Sequence, residues 1–164
     1  MMYQEKQRFT QWWLWAILIG VSALAIFGIY RQIILGQPFG DNPMSDSGLI
    51  IFAVLMIALS AFFWSIHLDT RIDKTHVRFS FFPFLKKSVE RKNIKSAKVL
   101  DYGTVGGWGI KQSRKYGTVY STGGDLGLAI VMQNGDKFVI GTQNESELET
   151  FLRKENLSEL DSTG

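Results

Sequence analysis

Cysteine is absent from the 164 residues, so the chain has no disulfide framework, no thiolate metal site and no thiol nucleophile. Histidine is nearly absent as well. His67 and His76 are the only two, and they lack the close spacing from which a helix builds a zinc site. Neither stands in a recognisable base and nucleophile pair. A net charge of +3 with no recognition motif argues against sequence-specific nucleic-acid binding. Gly103, Gly106, Gly107 and Gly109 suggest a phosphate loop, but no Gly-Lys-Ser/Thr ending follows them. Catalytic residues, a metal and a cofactor therefore have no candidates, and the chain reads as a non-enzyme.

Charge is missing most where it matters most. No charged residue lies between Arg8 and Arg31, nor between Asp46 and Asp69. Each gap is long enough to carry a helix across a ~30 Å hydrocarbon layer. Trp12, Trp13, Trp15, Tyr30 and Trp64 stand where interfacial aromatics belong. The expectation is an N-terminal membrane hairpin over 1–68, with helices about 11–31 and 48–68. Gly20, Ser22, Ala25 and Gly28 on one helix, and Ala53, Ser60 and Ala61 on the other, offer small side chains for close contact. No Asp, Glu, Lys or Arg lies at mid-membrane depth, which disfavours a channel or transporter acting alone. Lys6 and Arg8 precede the first run, while Arg71, Lys74 and Arg78 follow the second. The turn-rich connection has only Arg31 against Asp41 and Asp46. Basic side chains resist translocation, so both termini of a multi-pass protein are expected in the cytoplasm.

From Asp69 onward the hydrophobic period falls to two. His76-Val77-Arg78-Phe79-Ser80-Phe81 alternates as a half-buried strand and forms a hairpin with a strand near Leu68–Ile72 across Asp73-Lys74-Thr75. Phe82-Pro83-Phe84 interrupts the pattern, and further strands follow near Ser88–Arg91 and Ile94–Leu100. Leu126–Met132 and Lys137–Gly141 flank Asn134-Gly135, a strong hairpin signal. Asn144 and Glu147 are spaced as a capping box for a helix whose Leu148, Phe151 and Leu152 share one face. This order predicts a mainly-β domain over 69–157, an antiparallel barrel capped by a C-terminal helix. Residues 158–164 are expected to form a flexible tail.

Two segments are not explained by folding needs. Tyr102 to Asp125 is glycine-rich and aperiodic, yet carries Trp108, Ile110, Lys111, Arg114 and Tyr116, side chains common at binding surfaces. They form the candidate partner surface, against the plainer reading that Trp108 fills the barrel mouth. Lys86, Lys87, Arg91 and Lys92 form a basic run that suits anionic lipid if it faces a membrane, and otherwise makes a solvated strand face.

The two apolar runs, Asp69-Thr70-Arg71-Ile72-Asp73, Phe82-Pro83-Phe84, Gly107-Trp108-Gly109-Ile110, Asn134-Gly135 and the terminal helix resemble the small bacterial membrane proteins with a pleckstrin-homology-like (PH-like) domain. Lys111 stands where related sequences often have Arg, which keeps the charge and loses the planar fork. The resemblance implies a PH-like barrel and a membrane-tethered, non-enzymatic module. The expected function is an interaction or scaffold module at the cytoplasmic face, with membrane lipid and a second copy or a membrane protein as partners. The alternative is an accessory subunit of a transport or envelope-maintenance complex that docks through its spans.

Overall fold

The structure is a computed structural model and describes residues 2–103, 108–155 and 157. The chain divides into two units, Gln11–Ser65 and a second that joins Met1–Thr10 to Ile66–Gly164. The expected tail, 158–164, lies outside the described residues.

The first unit is a helical hairpin. Helix α1, Trp12–Ile29, continues into a π-helical turn, Tyr30–Ile34, and α2 spans Asp46–Ser65. Both are long and apolar enough to cross a membrane, at 23 residues for Trp12–Ile34 and 20 for α2. Few side chains are buried within the unit: Leu18, Ala25 and Gly28 on α1, Leu49 and Ala53 on α2. Ala25, Gly28 and Ala53 are thus contact residues, whereas Gly20 faces open space. Gly28 is covered by Phe39 of the connecting loop, whose Cδ1 would lie 2.8 Å from an added Cβ. Trp15 meets Trp64 edge to face at 5.7 Å. Ser22 and Ser60 donate their hydroxyls to the carbonyls of Leu18 and Met56, so neither leaves an unpaired polar group toward an apolar solvent.

The second helix ends at Ser65, three residues short of the expected 68, because the apolar Ile66 and Leu68 belong to the β unit. A larger correction concerns the N-terminus. Residues Tyr3–Arg8 form strand β1, which pairs antiparallel with β2, His67–Ile72, in register from Tyr3↔Ile72 to Arg8↔His67. The segment assigned to the hairpin is therefore part of the β unit. Its inward residues Tyr3, Glu5 and Gln7 are polar or amphipathic, so no apolar alternation betrayed the strand.

Strand β3, His76–Phe82, and β4, Leu85–Glu90, complete a four-stranded sheet in the order β1-β2-β3-β4. A 3₁₀ turn, Arg91–Asn93, leads to β5, Ile94–Asp101. Then follow β6, Gly109–Ser113, β7, Gly117–Ser121, β8, Leu126–Met132, and β9, Lys137–Gly141. The second sheet has the order β5-β8-β9-β7-β6. The tight β8–β9 turn folds β9 back between β8 and β7, which makes β9 antiparallel to β8 and parallel to β7. The expected all-antiparallel barrel is corrected accordingly: the described strands form two sheets, one containing a parallel pair.

The core lies between the sheets. Phe79 stacks on Phe138 at 5.6 Å and meets Tyr120 at 4.8 Å. Helix α3, Glu145–Lys154, contributes Leu148, Phe151 and Leu152, with Phe151 5.8 Å from Tyr3. Asn144 precedes the helix, but its side chain donates to Glu147 and does not accept from the backbone. The Asn144 N–H instead reaches Thr142 Oγ1 at 3.1 Å.

Candidate functional site

Alternation along β2 and β3 turns Leu68, Thr70, Ile72, Val77, Phe79 and Phe81 toward the core. Their neighbours must face outward. The register places Asp69 opposite Ser80 and Arg71 opposite Arg78, while Lys86 pairs with Ser80 from β4. These side chains and Phe82 line an open groove of about 490 Å³ on the outer face of the sheet. Four cationic side chains, Arg71, Arg78, Lys86 and Lys87, border it against one carboxylate, Asp69. Arg71 leans on Asp69 at 3.2 Å and Arg78 reaches Asp73 at 3.5 Å. Lys86 is exposed and makes no ion pair among the described residues. A groove of this charge favours anions.

The turn from β2 to β3 closes the far end of the groove. Asp73 Oδ1 accepts from Thr75 N at 2.8 Å, Thr75 Oγ1 at 2.9 Å and His76 N at 2.7 Å. These bonds, led by the two backbone N–H groups, hold its carboxyl down at about 2. At the near end, His67 stacks on Phe82 at 5.3 Å. His76 lies elsewhere, with Nδ1 2.8 Å from Thr75 Oγ1. Among the described residues no group of three or more His, Cys, Asp or Glu is placed to hold a metal.

The basic run is split by the fold. Lys86 and Lys87 sit at the start of β4, and Lys87 Nζ lies 4.4 Å above the Phe138 ring. Arg91 and Lys92 come after the strand, at its opposite end. Arg91 is a bracket: Nη1 meets Glu155 Oε2 at 3.2 Å and Nη2 donates to the Glu155 carbonyl at 3.0 Å. The guanidinium holds the Glu155 carboxyl below its ordinary range. Lys92 pairs with Glu90 at 2.8 Å, raising the ammonium and lowering the carboxyl. The four lysines and arginines do not form one surface.

The aromatic candidates are also divided. The segment from Tyr102 to Asp125 contains β6 and β7, and among the described residues β6 is an edge strand with β7 its one neighbour. Ile110 pairs with Tyr120 and Lys111 with Val119, so successive candidates point to opposite faces. Trp108 and Ile110 are 37% and 41% exposed. Lys111 is half-buried and Arg114 lies exposed in the turn. Tyr116 is partly buried and packs against a cluster of Tyr102, Val119 and Val139. Trp108, at 37% exposure, is half-covered where it precedes β6.

Sequence reasoning missed the groove's Arg71 and Arg78 as partners of Lys86, because cross-strand neighbours are remote in sequence. It also missed a polar clamp on β1. Gln7 is 1% exposed, donates from Nε2 to the Gly141 carbonyl at 2.6 Å and accepts from Thr122 Oγ1 at 3.3 Å. Glu5 accepts from Tyr3 OH at 2.6 Å, Thr142 Oγ1 at 2.8 Å and Gln143 N at 2.7 Å. Burial, reinforced by Glu5, raises the Tyr3 phenol above its ordinary range. The clamp ties the residues before the hairpin to the β9–α3 junction.

No protein-family model matches the chain, and no curated protein matches it.

Proposed function

We propose that the protein is a membrane-anchored, non-catalytic interaction module of the PH-like type. The hairpin spans a bacterial inner membrane, both termini are cytoplasmic, and the β unit works at the cytoplasmic face. The observation that carries this reading is the β1–β2 ladder. Arg8 and His67 are register partners, and everything between them is the hairpin. Two strands hydrogen-bonded along their length occupy one side of a bilayer, so the intervening chain crosses twice or not at all. Large apolar side chains such as Ile19, Leu24, Leu55 and Trp64 are exposed on the hairpin, a surface that water does not tolerate and lipid does. The excess of Lys and Arg flanking the helices on the β-unit side supports the cytoplasmic orientation. Within the β unit, the edge strand β6 with exposed Trp108 and Ile110 is the surface proposed for a protein partner or a second copy.

Reporter fusions after Gly164 and within the 36–43 loop test the anchor; cytoplasmic activity at the first and external activity at the second are expected. Affinity purification from native membranes in mild detergent tests the module. A partner retained by wild type and lost by Trp108→Ala, at equal expression, supports recognition through β6. Retention by Trp108→Ala, but loss when the hairpin is replaced by an unrelated two-span hairpin, favours the accessory-subunit reading.

A further inference from the structure

The ends of the first sheet are not equivalent. β1 finishes at Arg8, β2 starts at His67, and β3 finishes opposite His67 at Phe82. The β3–β4 turn therefore lies at the end of the sheet through which the chain enters and leaves the hairpin. One residue, Ile66, separates His67 from the last residue of α2, so that end is held within about 7 Å of chain from the helix. Neighbouring strands lie about 4.8 Å apart, which keeps Phe82 level with that point.

At this level the turn exposes aromatic rings. Phe82 is 42% and Phe84 56% exposed, in a turn closed by the Phe84 N–H on the Phe81 carbonyl at 2.8 Å. Phe82 stacks on His67 and Phe84 lies 5.9 Å from the Phe81 ring, yet each keeps a large apolar area exposed, as side chains seated in a headgroup layer do. Lys86 follows at once, and the cationic groove opens beside it. The far turn, Asp73-Lys74-Thr75, has no aromatic residue. Arg91 and Lys92 at that level are already paired with carboxylates. Aromatic exposure and unpaired cationic charge coincide at one end of one sheet.

We propose that the β3–β4 turn is a second membrane contact, with Phe82 and Phe84 entering the headgroup layer and Lys86 holding the phosphate of an anionic phospholipid at the groove mouth. This rests on the anchored reading above and adds the lipid class and the residues. Two chain connections join the hairpin to the β unit. A third contact fixes which face of the unit is turned to the cytoplasm, and makes that orientation depend on anionic lipid.

The test uses the full chain in nanodiscs of phosphatidylcholine alone and of phosphatidylcholine mixed with phosphatidylglycerol, read by amide hydrogen exchange. In the mixed discs, residues 81–87 are expected to exchange about fivefold more slowly, the factor one lysine near an anionic surface supplies. Residues 73–75 serve as the unchanged reference. Lys86→Glu and the double variant Phe82→Ser/Phe84→Ser should each abolish the difference; Lys86 is exposed and carries no packing role, so its variant answers even if the double variant unfolds. Equal exchange of 81–87 in both discs, with the hairpin amides protected, overturns the second contact and leaves the anchor standing. Unprotected hairpin amides overturn the anchor itself. Slowing in phosphatidylcholine discs on adding inorganic phosphate overturns the lipid assignment in favour of a soluble phosphate ligand.

Discussion

The two units bury opposite things. In the hairpin, Ala25, Gly28 and Ala53 are inside together with Leu18 and Leu49, while most of the Leu, Ile and Phe side chains are outside. In the β unit, Phe79, Phe81, Phe138 and Ile140 are inside and charge is outside. The same residue type thus has a different energetic meaning in each. Large side chains hold the β unit together by leaving water. In the lipid proposed for the hairpin that driving force would be missing, and close contact of small residues would take its place.

This contrast can be broken by truncation. Phe138→Ala should destabilise the β unit by about 3–5 kcal/mol, the cost of a cavity in a filled core. Leu24→Ala, on an exposed hairpin face, should cost less than about 0.5 kcal/mol. Denaturant titration in detergent, followed by near-ultraviolet circular dichroism, measures both, and equal losses would erase the distinction. Glycine sharpens it next. Gly117 has φ +74°, and a Cβ there would lie 1.9 Å from the Lys137 carbonyl oxygen on the parallel neighbour β9. Gly117→Ala should therefore cost about 3 kcal/mol, from left-handed strain and backbone overlap. Gly20→Ala, in open space on α1, should be neutral or stabilising by about 0.5 kcal/mol. Thermal melting of the two variants side by side gives the answer.

The polar clamp on β1, within the β unit, supplies a smaller effect. Gln7→Ala strands the buried Gly141 carbonyl and Thr122 hydroxyl, at a cost of about 2 kcal/mol. Limited proteolysis should then cut within the first ten residues before the rest of the β unit. The smallest effect belongs to Asp73, whose carboxyl is held down at about 2 by the turn's N–H groups. A carboxyl depressed in the folded state stabilises above its unfolded value of about 4 and loses that contribution as pH falls through about 2. Asp73→Asn should lower the melting temperature slightly at neutral pH and flatten its decline across that interval, because the amide does not titrate.

Legibility in the sequence followed the physics of each segment. β3, β8, β9 and α3 were readable because apolar alternation, the Asn134-Gly135 turn and the spacing of Leu148, Phe151 and Leu152 are local signals. β6 and β7 were not, since Gly109 and Gly117 begin them and no alternating apolar run marks either. β1 escaped because most partners of its inward Glu5 and Gln7 (Thr122, Gly141, Thr142 and Gln143) lie more than 110 positions away. Of the candidate site, Lys86 was visible as charge, but its separation from Arg91 and Lys92 was not. One-dimensional proximity ignores that a six-residue strand carries its two ends about 17 Å apart.

By itself, then, the sequence determined that two charge-free runs form helices able to span a membrane and that an alternating half forms a mainly-β unit. Hydrophobic length and period are properties of neighbouring residues and need no partner. Only the tertiary structure decided that the first strand belongs to the β unit, that β9 lies between β8 and β7, and that Arg71, Arg78 and Lys86 share a groove. Each of these rests on pairing between strands distant in the chain, where register is set by burial and hydrogen bonding that no local window contains.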